Sequence, residues 1–352
     1  MKLFQCSNCG NTVVFENNYC VSCGHYLGYS SFYNKMVSLK PDFFEWTLPT
    51  LNGGKYKYCA NNLHGTCNWL VPSENPSEFC LACSLNRTIP DLDNPENHSH
   101  WKQIEFAKHR LIYQLLRLRL QIISKTDDPA YGLCFDFVSP KSSNNIKTGH
   151  ANGVITILIS EADSVIREKV KHEMKERYRT LLGHFRHEVG HYFWDILVKN
   201  NNDILSKFRK IFGDDTVSYR DSLRNYYVNG PRKNWQNFYI SKYASSHAWE
   251  DWAETWSHYL HLMDALETAH NFGIRTEPKL EGENKLNFNA SFDPYNESDL
   301  RTILETGIPL LYTMNSMNRS MGKDDPYPFI ISEPVKTKLA FIHNLLFERN
   351  SF

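Results

Sequence analysis

Residues 184–195 read HFRHEVGHYFWD, and this stretch contains the pattern His-Glu-x-x-His at His187, Glu188 and His191. Two histidines four positions apart lie on the same face of a helix, one turn from each other, so both imidazoles can reach one metal ion. The glutamate lies on the adjacent flank, where it can hold a water molecule next to that ion. The pattern therefore predicts a zinc site on a central helix, with Glu188 as general base.

The sequence around this pattern indicates a buried helix and not a chance match on a solvated face. A second set of polar residues, His184 and Asp195, continues the stripe of His187, Glu188 and His191 at spacings of three and four. A buried stripe of this kind needs partners, and a metal ion is the simplest one. We expect His184 and Asp195 either to orient the ligands or only to pack. The apolar face of the predicted helix (178–197) consists of Tyr178, Leu181, Leu182, Phe185, Val189, Phe193 and Ile196.

The third metal ligand is expected on a later helix. Metzincins place a glycine and a third histidine where this chain has Trp194 and Leu197, which excludes that class. Residues 243–269 are predicted to form a helix with Glu250 as the ligand, and Glu254 one turn further on as the carboxylate that holds a ligand histidine. Acidic residues at a helix N-terminus also stabilise the helix without any metal. The alternative third ligands are His247, His258 and Glu254 itself.

Eight of the nine cysteines lie within the first 83 residues. In a chain without a signal peptide, paired C-x2-C motifs favour metal sites over disulfides. We expect two structural zinc sites, the first formed by Cys6, Cys9, Cys20 and Cys23, and the second by Cys59, Cys67, Cys80 and Cys83. The spacing of the second set is less regular, and His64 is an alternative ligand in it. Closed four-ligand sites leave no position for a substrate, so these modules are expected to stabilise the chain or to bind a protein partner.

Composition excludes some classes of function. Lys and Arg together number 39, as do Asp and Glu, so the formal net charge is zero and binding to nucleic acid or to an anionic membrane surface is not expected. No apolar run approaches the roughly 20 residues that a membrane helix needs, and the start of the chain lacks the apolar segment of a signal peptide. We therefore expect a cytoplasmic protein.

The remaining patterns predict an α+β fold. A helix is predicted within 101–123, strands at 133–138 and 153–160, a helix capped by Ser160, an irregular segment at 277–299 and a C-terminal helix at 333–348. The predicted organisation is a zinc ribbon at 1–30 and a second cysteine-rich module at 31–95. A mainly helical zincin-like domain with a small sheet is predicted at 96–352.

Several long stretches together resemble a known family. They are CNWLVP, LNRTIPDL, TGHANGVITI, YRTLLGHFRHEVGHYFWD and YASSHAWEDWAETWSHYLH. On these stretches the chain is similar to the zinc-binding metallo-peptidase family that carries an N-terminal zinc ribbon. A looser resemblance runs to lethal-factor-like gluzincins, which have a tyrosine seven residues before a Glu-x-x-x-Glu ligand motif. In this chain that pattern falls on Tyr243, Glu250 and Glu254.

The resemblance implies a gluzincin-like peptidase that acts on a peptide or protein substrate with one catalytic zinc ion. It implies that the hydroxyl of Tyr243 stabilises the oxyanion, and that the strand within 153–160 pairs with an extended substrate as an edge strand does. A second hypothesis is a non-catalytic zinc-binding adaptor that uses the ribbons to bind a partner. The presence of both Glu188 and Tyr243 favours the enzyme, since a scaffold needs neither.

Overall fold

The structure is a computed structural model. It describes residues 2–43, 45–48, 54–139, 147–173, 178–279, 281 and 285–349. The predicted irregular segment at 277–299 and the loop before the second predicted strand lie partly outside the described residues.

The N-terminal region consists of short antiparallel strands around the cysteines. Strands β1 and β2 form a hairpin, and β3 to β7 form a five-stranded antiparallel sheet in sequential order. A bridge between Tyr29 and Trp69 brings the first and last strands of this sheet together. The strand bounds are β1 Phe4–Gln5, β2 Thr12–Val13, β3 Tyr26–Ser30, β4 Lys35–Asp42, β5 Glu45–Thr47, β6 Lys55–Tyr58 and β7 Leu70–Pro72.

A four-stranded sheet with the order β10–β11–β9–β8 begins the second part of the fold. Strand β11 pairs in parallel with β9 and antiparallel with β10. The β10–β11 turn is Asn152-Gly153, with φ values of 50° and 76°, which is the backbone that a tight two-residue hairpin requires. Among the described strands, β10 lies at one edge of this sheet and β8 at the other. The bounds are β8 Asn86–Thr88, β9 Cys134–Val138, β10 Gly149–Ala151 and β11 Val154–Leu158.

Eight α-helices lie within the described residues, together with a two-stranded pair, β12 (Arg275–Thr276) and β13 (Phe288–Asn289). None of these helices is long and apolar enough to cross a membrane. The helices are α1 Pro95–Arg117, α2 Ser164–Glu173, α3 Leu181–Trp194, α4 Asn202–Phe212, α5 Tyr219–Asn229, α6 Ala248–Phe272, α7 Leu300–Ser320 and α8 Glu333–Arg349.

Helix α3 lies against α6, and the glycine inside the HEVGH motif allows their close approach. A Cβ atom at Gly190 would lie 3.2 Å from the Cα of Ala253 and 3.1 Å from the Trp256 ring. The indole of Trp252 donates a hydrogen bond of 2.8 Å to the Gly190 carbonyl oxygen. This contact brings the start of α6 close to the histidines of α3.

A buried arginine fixes α3 between α1 and α6. Arg186 is only 2% exposed. It donates to Gln114 of α1 over 2.9 Å and to Asp264 of α6 over 2.7 Å. A buried guanidinium that donates to acceptors on both neighbouring helices gives the three helices one relative orientation.

The α+β class is confirmed: a cysteine-rich ribbon region precedes a mostly helical domain with small sheets. Four predicted helix starts differ from the structure. Helices α3 and α6 begin three and five residues later than predicted, because Thr180 and His247 cap them. Helix α1 begins at Pro95, because Asn94 caps it, and ends at Arg117. The cap of α2 is Asp163, whose carboxylate accepts from the backbone of Val165, while a 3-10 turn occupies 159–162.

Candidate functional site

Two helices bring three candidate ligands together. The Nε2 atom of His187 lies 3.1 Å from Oε2 of Glu250, and that of His191 lies 3.4 Å from the same oxygen. The two Nε2 atoms are 3.2 Å apart. A tetrahedral zinc ion with bonds near 2.0–2.1 Å has its ligand atoms about 3.3 Å apart. The separations therefore fit three ligands of one such ion.

The remaining contacts of Glu250 leave one oxygen free for a metal. The hydroxyl of Tyr219 donates to Oε1 over 2.6 Å. Oε2 is buried, and no described group completes a hydrogen bond to it. A buried carboxylate oxygen without a donor is costly unless a cation lies next to it. Oε2 lacks a hydrogen bond and lies within 3.4 Å of both imidazole nitrogens, which supports a metal ion at this point.

Glu254 determines which nitrogen of His187 faces the site. Nδ1 of His187 donates to Glu254 Oε1 over 2.7 Å, and Ser241 donates to the other oxygen over 2.5 Å. Because Nδ1 carries the hydrogen, the Nε2 lone pair points toward Glu250 and His191. A carboxylate behind a ligand histidine is the arrangement that orients imidazoles in zinc sites.

The charges around these residues favour a cation. Burial works to raise the pKa of Glu250, but the imidazoles of His191 and His187 outweigh burial and hold that pKa well below its ordinary value. Burial works to lower the pKa of His187, but the carboxylates of Glu250 and Glu254 raise it well above its ordinary value. Two carboxylates around two imidazoles thus stabilise positive charge at the centre.

Glu188 and two tyrosines surround the same centre. Glu188 is 9% exposed. Burial is the main reason why the pKa values of Tyr219 and Tyr243 are raised, and the charges of Glu250 and Glu188 raise both further. The Tyr243 ring centroid lies 6.0 Å from that of His187. A carboxylate and two phenols therefore lie within electrostatic range of the candidate metal.

Strand β10 lies close to the candidate metal ligands. The ring of His150 on β10 lies 6.4 Å from that of His191, and His191 packs on Trp249 with centroids 3.7 Å apart. The expectation that the strand within 153–160 offers a free edge is wrong. Its residues Val154–Leu158 form β11, which is paired on both sides, and the edge belongs to β10.

The alternative third ligands have other partners. His247 caps α6, since its Nδ1 accepts from Trp249 N over 3.1 Å while Nε2 donates to the Val217 carbonyl over 3.1 Å. His258 makes a bond of 2.8 Å with the Tyr327 hydroxyl. Both ring nitrogens of His247 are thus occupied, whereas Glu250 faces the two histidines.

His184 and Asp195 also have other partners. His184 pairs with Glu161 over 3.0 Å, and Asp195 pairs with Lys199 over 3.1 Å in the wider helical turn that follows α3. Within the described part of the chain, neither has a recorded contact with His187, His191 or Glu250, so no contact supports an orienting role for them.

The first cysteine set closes around a common point. Cys6 and Cys23 have sulfurs 3.7 Å apart, and Cys9 and Cys20 have sulfurs 3.6 Å apart. A tetrahedral zinc ion with Zn–S bonds of about 2.3 Å places its sulfurs about 3.8 Å apart. Each C-x2-C pair is followed by a glycine with positive φ, 74° at Gly10 and 71° at Gly24, which turns the chain back toward the metal position.

The second cysteine set also converges, with all four sulfurs within 4.8 Å of one another. The alternative ligand His64 is exposed, and its ring packs near Trp101 at 5.7 Å. A different histidine is in contact: His109 of α1 lies 3.3 Å from the Cys67 sulfur. The site residues that were not predicted from the sequence include His109 and Tyr219, each of which is far along the chain from the residues it contacts.

Comparison with known proteins shows which protein family this chain matches. A model described as "putative zinc-binding metallo-peptidase" matches residues 97–345, and a model described as a zinc-ribbon domain matches residues 3–94. One zinc-ribbon match thus covers both cysteine sets.

Relatives of similar length occur in mycobacteria. Uncharacterized proteins of Mycobacterium bovis and Mycobacterium tuberculosis are each 40% identical to this chain over 350 residues, covering 99% of this chain and 96% of theirs. No solved structure gives a significant match.

Proposed function

We propose that this chain, which belongs to the zinc-binding metallo-peptidase family, hydrolyses peptide bonds with a zinc ion held by His187, His191 and Glu250. The observation that carries this proposal is the convergence of these three ligand atoms in a buried position, with Glu188 on the same helix as the two histidines. Zinc bound there supplies Lewis acidity that lowers the pKa of water toward about 7.

Glu188 is the general base in this proposal. Glu188 lies on α3 directly after the ligand His187, and in this role its carboxylate accepts a proton from the attacking water and returns it to the leaving amine. The His-Glu-x-x-His spacing places Glu188 on the flank of the helix next to the two ligand histidines.

Tyr243 and Tyr219 have different roles. The Tyr219 hydroxyl is committed to Glu250 Oε1, over 2.6 Å, and orients that ligand. Tyr243 has no such bond to Glu250 in the structure, and we assign it the stabilisation of the oxyanion. Removal of one oxyanion donor costs about 3–4 kcal/mol of transition-state stabilisation in enzymes where this has been measured.

Strand β10 is the element best placed to bind the substrate backbone. It forms the edge of the four-stranded sheet, and His150 at its centre lies next to His191. An extended peptide can add to such an edge through main-chain hydrogen bonds, which do not depend on the substrate sequence. The scissile bond of a peptide bound there would lie beside the metal ligands.

The test compares the wild type with Glu188→Gln in a mixture of unlabelled peptides, with cleavage followed by mass spectrometry. We expect Glu188→Gln to keep its zinc and to lose at least about 100-fold in cleavage rate, in line with the contribution of a general base. The matched control is Glu168→Gln, at an exposed carboxylate on α2, which should cleave at the wild-type rate. Cleavage by Glu188→Gln at the wild-type rate would refute the mechanism.

A wild-type protein that holds zinc at this site but cleaves no peptide in the mixture would favour the non-catalytic adaptor instead.

A further inference from the structure

The two cysteine sites differ in where they lie. In the first set Cys9 is exposed and Cys23 is partly exposed. In the second set every cysteine is buried, with exposed fractions of 1–5%, and all four belong to the same hydrophobic core as α1, α3 and α6. The second site is therefore not a separate surface module but part of the contact between the ribbon region and the helical domain.

One side of this site is formed by a residue outside the ribbon. His109 of α1 is 3% exposed. Its Nε2 lies 3.3 Å from the sulfur of Cys67 and 3.6 Å from that of Cys83. Its Nδ1 lies 2.6 Å from the Glu105 carbonyl oxygen, which can only accept a hydrogen bond. Nδ1 is therefore the donor, and Nε2 is directed at the two sulfurs.

These distances are within hydrogen-bonding range of sulfur, so the Nε2 of His109 can hold the two sulfurs without taking a ligand position on the ion. Trp69 packs against the His109 ring, with centroids 5.2 Å apart, and keeps it in this position. The acceptors that its second nitrogen faces are the sulfurs of two predicted zinc ligands, so the ring is placed to hold these sulfurs.

We propose that His109 is a positioning residue of the second zinc site, and that this site joins the zinc ribbon to the helical domain through α1. The ribbon supplies the four sulfurs, and α1 supplies the group that holds the Cys67 and Cys83 side of the site. The inference rests on the cysteine site and does not depend on peptidase activity.

The same helix contacts both helices of the candidate active site. Gln114, little more than one turn after His109, accepts from Arg186 of α3 and donates to the Leu260 carbonyl of α6 over 2.6 Å. Tyr113 donates to Glu267 of α6 over 2.6 Å. Metal bound at the second site thus fixes α1, which in turn positions α3 and α6.

The first experiment measures zinc retention in the full-length, zinc-loaded protein by competition with a chromophoric chelator. In His109→Ala we expect one ion to bind about 10–100-fold more weakly, the cost typical of losing a partner of a metal ligand, while the other ions keep their affinity. The control is His64→Ala, which removes an exposed histidine close in sequence to the second cysteine set. Wild-type retention of every ion in His109→Ala would overturn the proposal.

A spectroscopic readout separates this role from simple packing. Cobalt bound by cysteine sulfur has a sulfur-to-metal charge-transfer band, to which a site of two histidines and a glutamate does not contribute. We expect His109→Ala to shift or weaken this band. His109→Gln, which keeps a side-chain nitrogen near the sulfurs, should restore part of the change and remains testable if the alanine variant fails to fold. An unchanged band in a folded variant would refute the claim that His109 positions the sulfurs of Cys67 and Cys83 around the metal.

Discussion

Glu254→Ala removes both carboxylate oxygens behind His187. The structure shows a charge-assisted bond of 2.7 Å from His187 Nδ1 to one oxygen and a bond of 2.5 Å from Ser241 to the other. Groups that hold a ligand histidine in this way typically contribute 10- to 100-fold to metal affinity, and each tenfold step is about 1.4 kcal/mol. Because this bond is charge-assisted and largely buried, we expect the upper end, a loss of about 100-fold or about 2.7 kcal/mol.

Two milder substitutions separate the contribution of the Glu254 charge from that of its hydrogen bond with Ser241. Glu254→Gln keeps the side-chain shape and an oxygen that can accept from His187, but it removes the charge, so we expect a loss of about tenfold, or about 1.4 kcal/mol. Ser241→Ala removes only the donor to the second oxygen, and its effect should be smaller than that of Glu254→Gln. The predicted order of affinity is wild type, Ser241→Ala, Glu254→Gln and then Glu254→Ala.

The assay is zinc competition with a chelator of known affinity on each variant, with circular dichroism to confirm that the helices remain folded. The cysteine-bound ions serve as an internal reference, since they do not contact Glu254. If Glu254→Ala bound zinc as tightly as the wild type, the claim that Glu254 orients His187 for the metal would be refuted.

Three further predictions concern the surroundings of the site. Tyr219→Phe removes the hydrogen bond to Glu250 and should weaken zinc binding about tenfold in the same competition assay, with unaltered affinity as the contrary result. Lys338→Met leaves Asp251 buried without its partner at 2.6 Å, and urea unfolding should show a loss of about 3–5 kcal/mol, whereas a loss below about 1 kcal/mol would contradict this. Burial lowers the pKa of His258 to about 4, below the ordinary value of about 6.5, so its contribution to stability is complete above about pH 6.5 and is lost as the pH falls toward 4. Zinc-saturated wild type should therefore lose about 1.4 kcal/mol more than His258→Gln between about pH 7.5 and 5.5, and equal losses would contradict the assignment.

The sequence predicted the elements whose apolar residues recur with a clear period. Helices α3 and α6 have wide apolar faces, and β9 and β11 consist mainly of β-branched or aromatic residues. Helix α5 has no buried residue in the structure, so no set of core positions marks it in the sequence. Helix α7 contains Pro309, a residue that usually ends a helix, which hides its continuity in the sequence.

Some contacts of the site residues could be predicted from local spacing in the sequence, and others could not. The contacts of His187, His191, Glu250 and Glu254 follow from one-turn spacing on two helices once those helices pack together. Tyr219 lies 31 positions before Glu250, and their hydrogen bond depends on the path of the chain between α5 and α6. Local spacing carries no information about such a contact, and the same holds for His109, 42 positions after Cys67.

The most direct test of the account is the number of zinc ions per chain, measured by elemental analysis in the wild type and in Glu250→Ala. The two cysteine sets and the His187, His191 and Glu250 group predict about three ions in the wild type and about two in the variant. Two ions in both proteins would mean that the HEVGH helix holds no firmly bound metal, and this result would contradict the proposed active site.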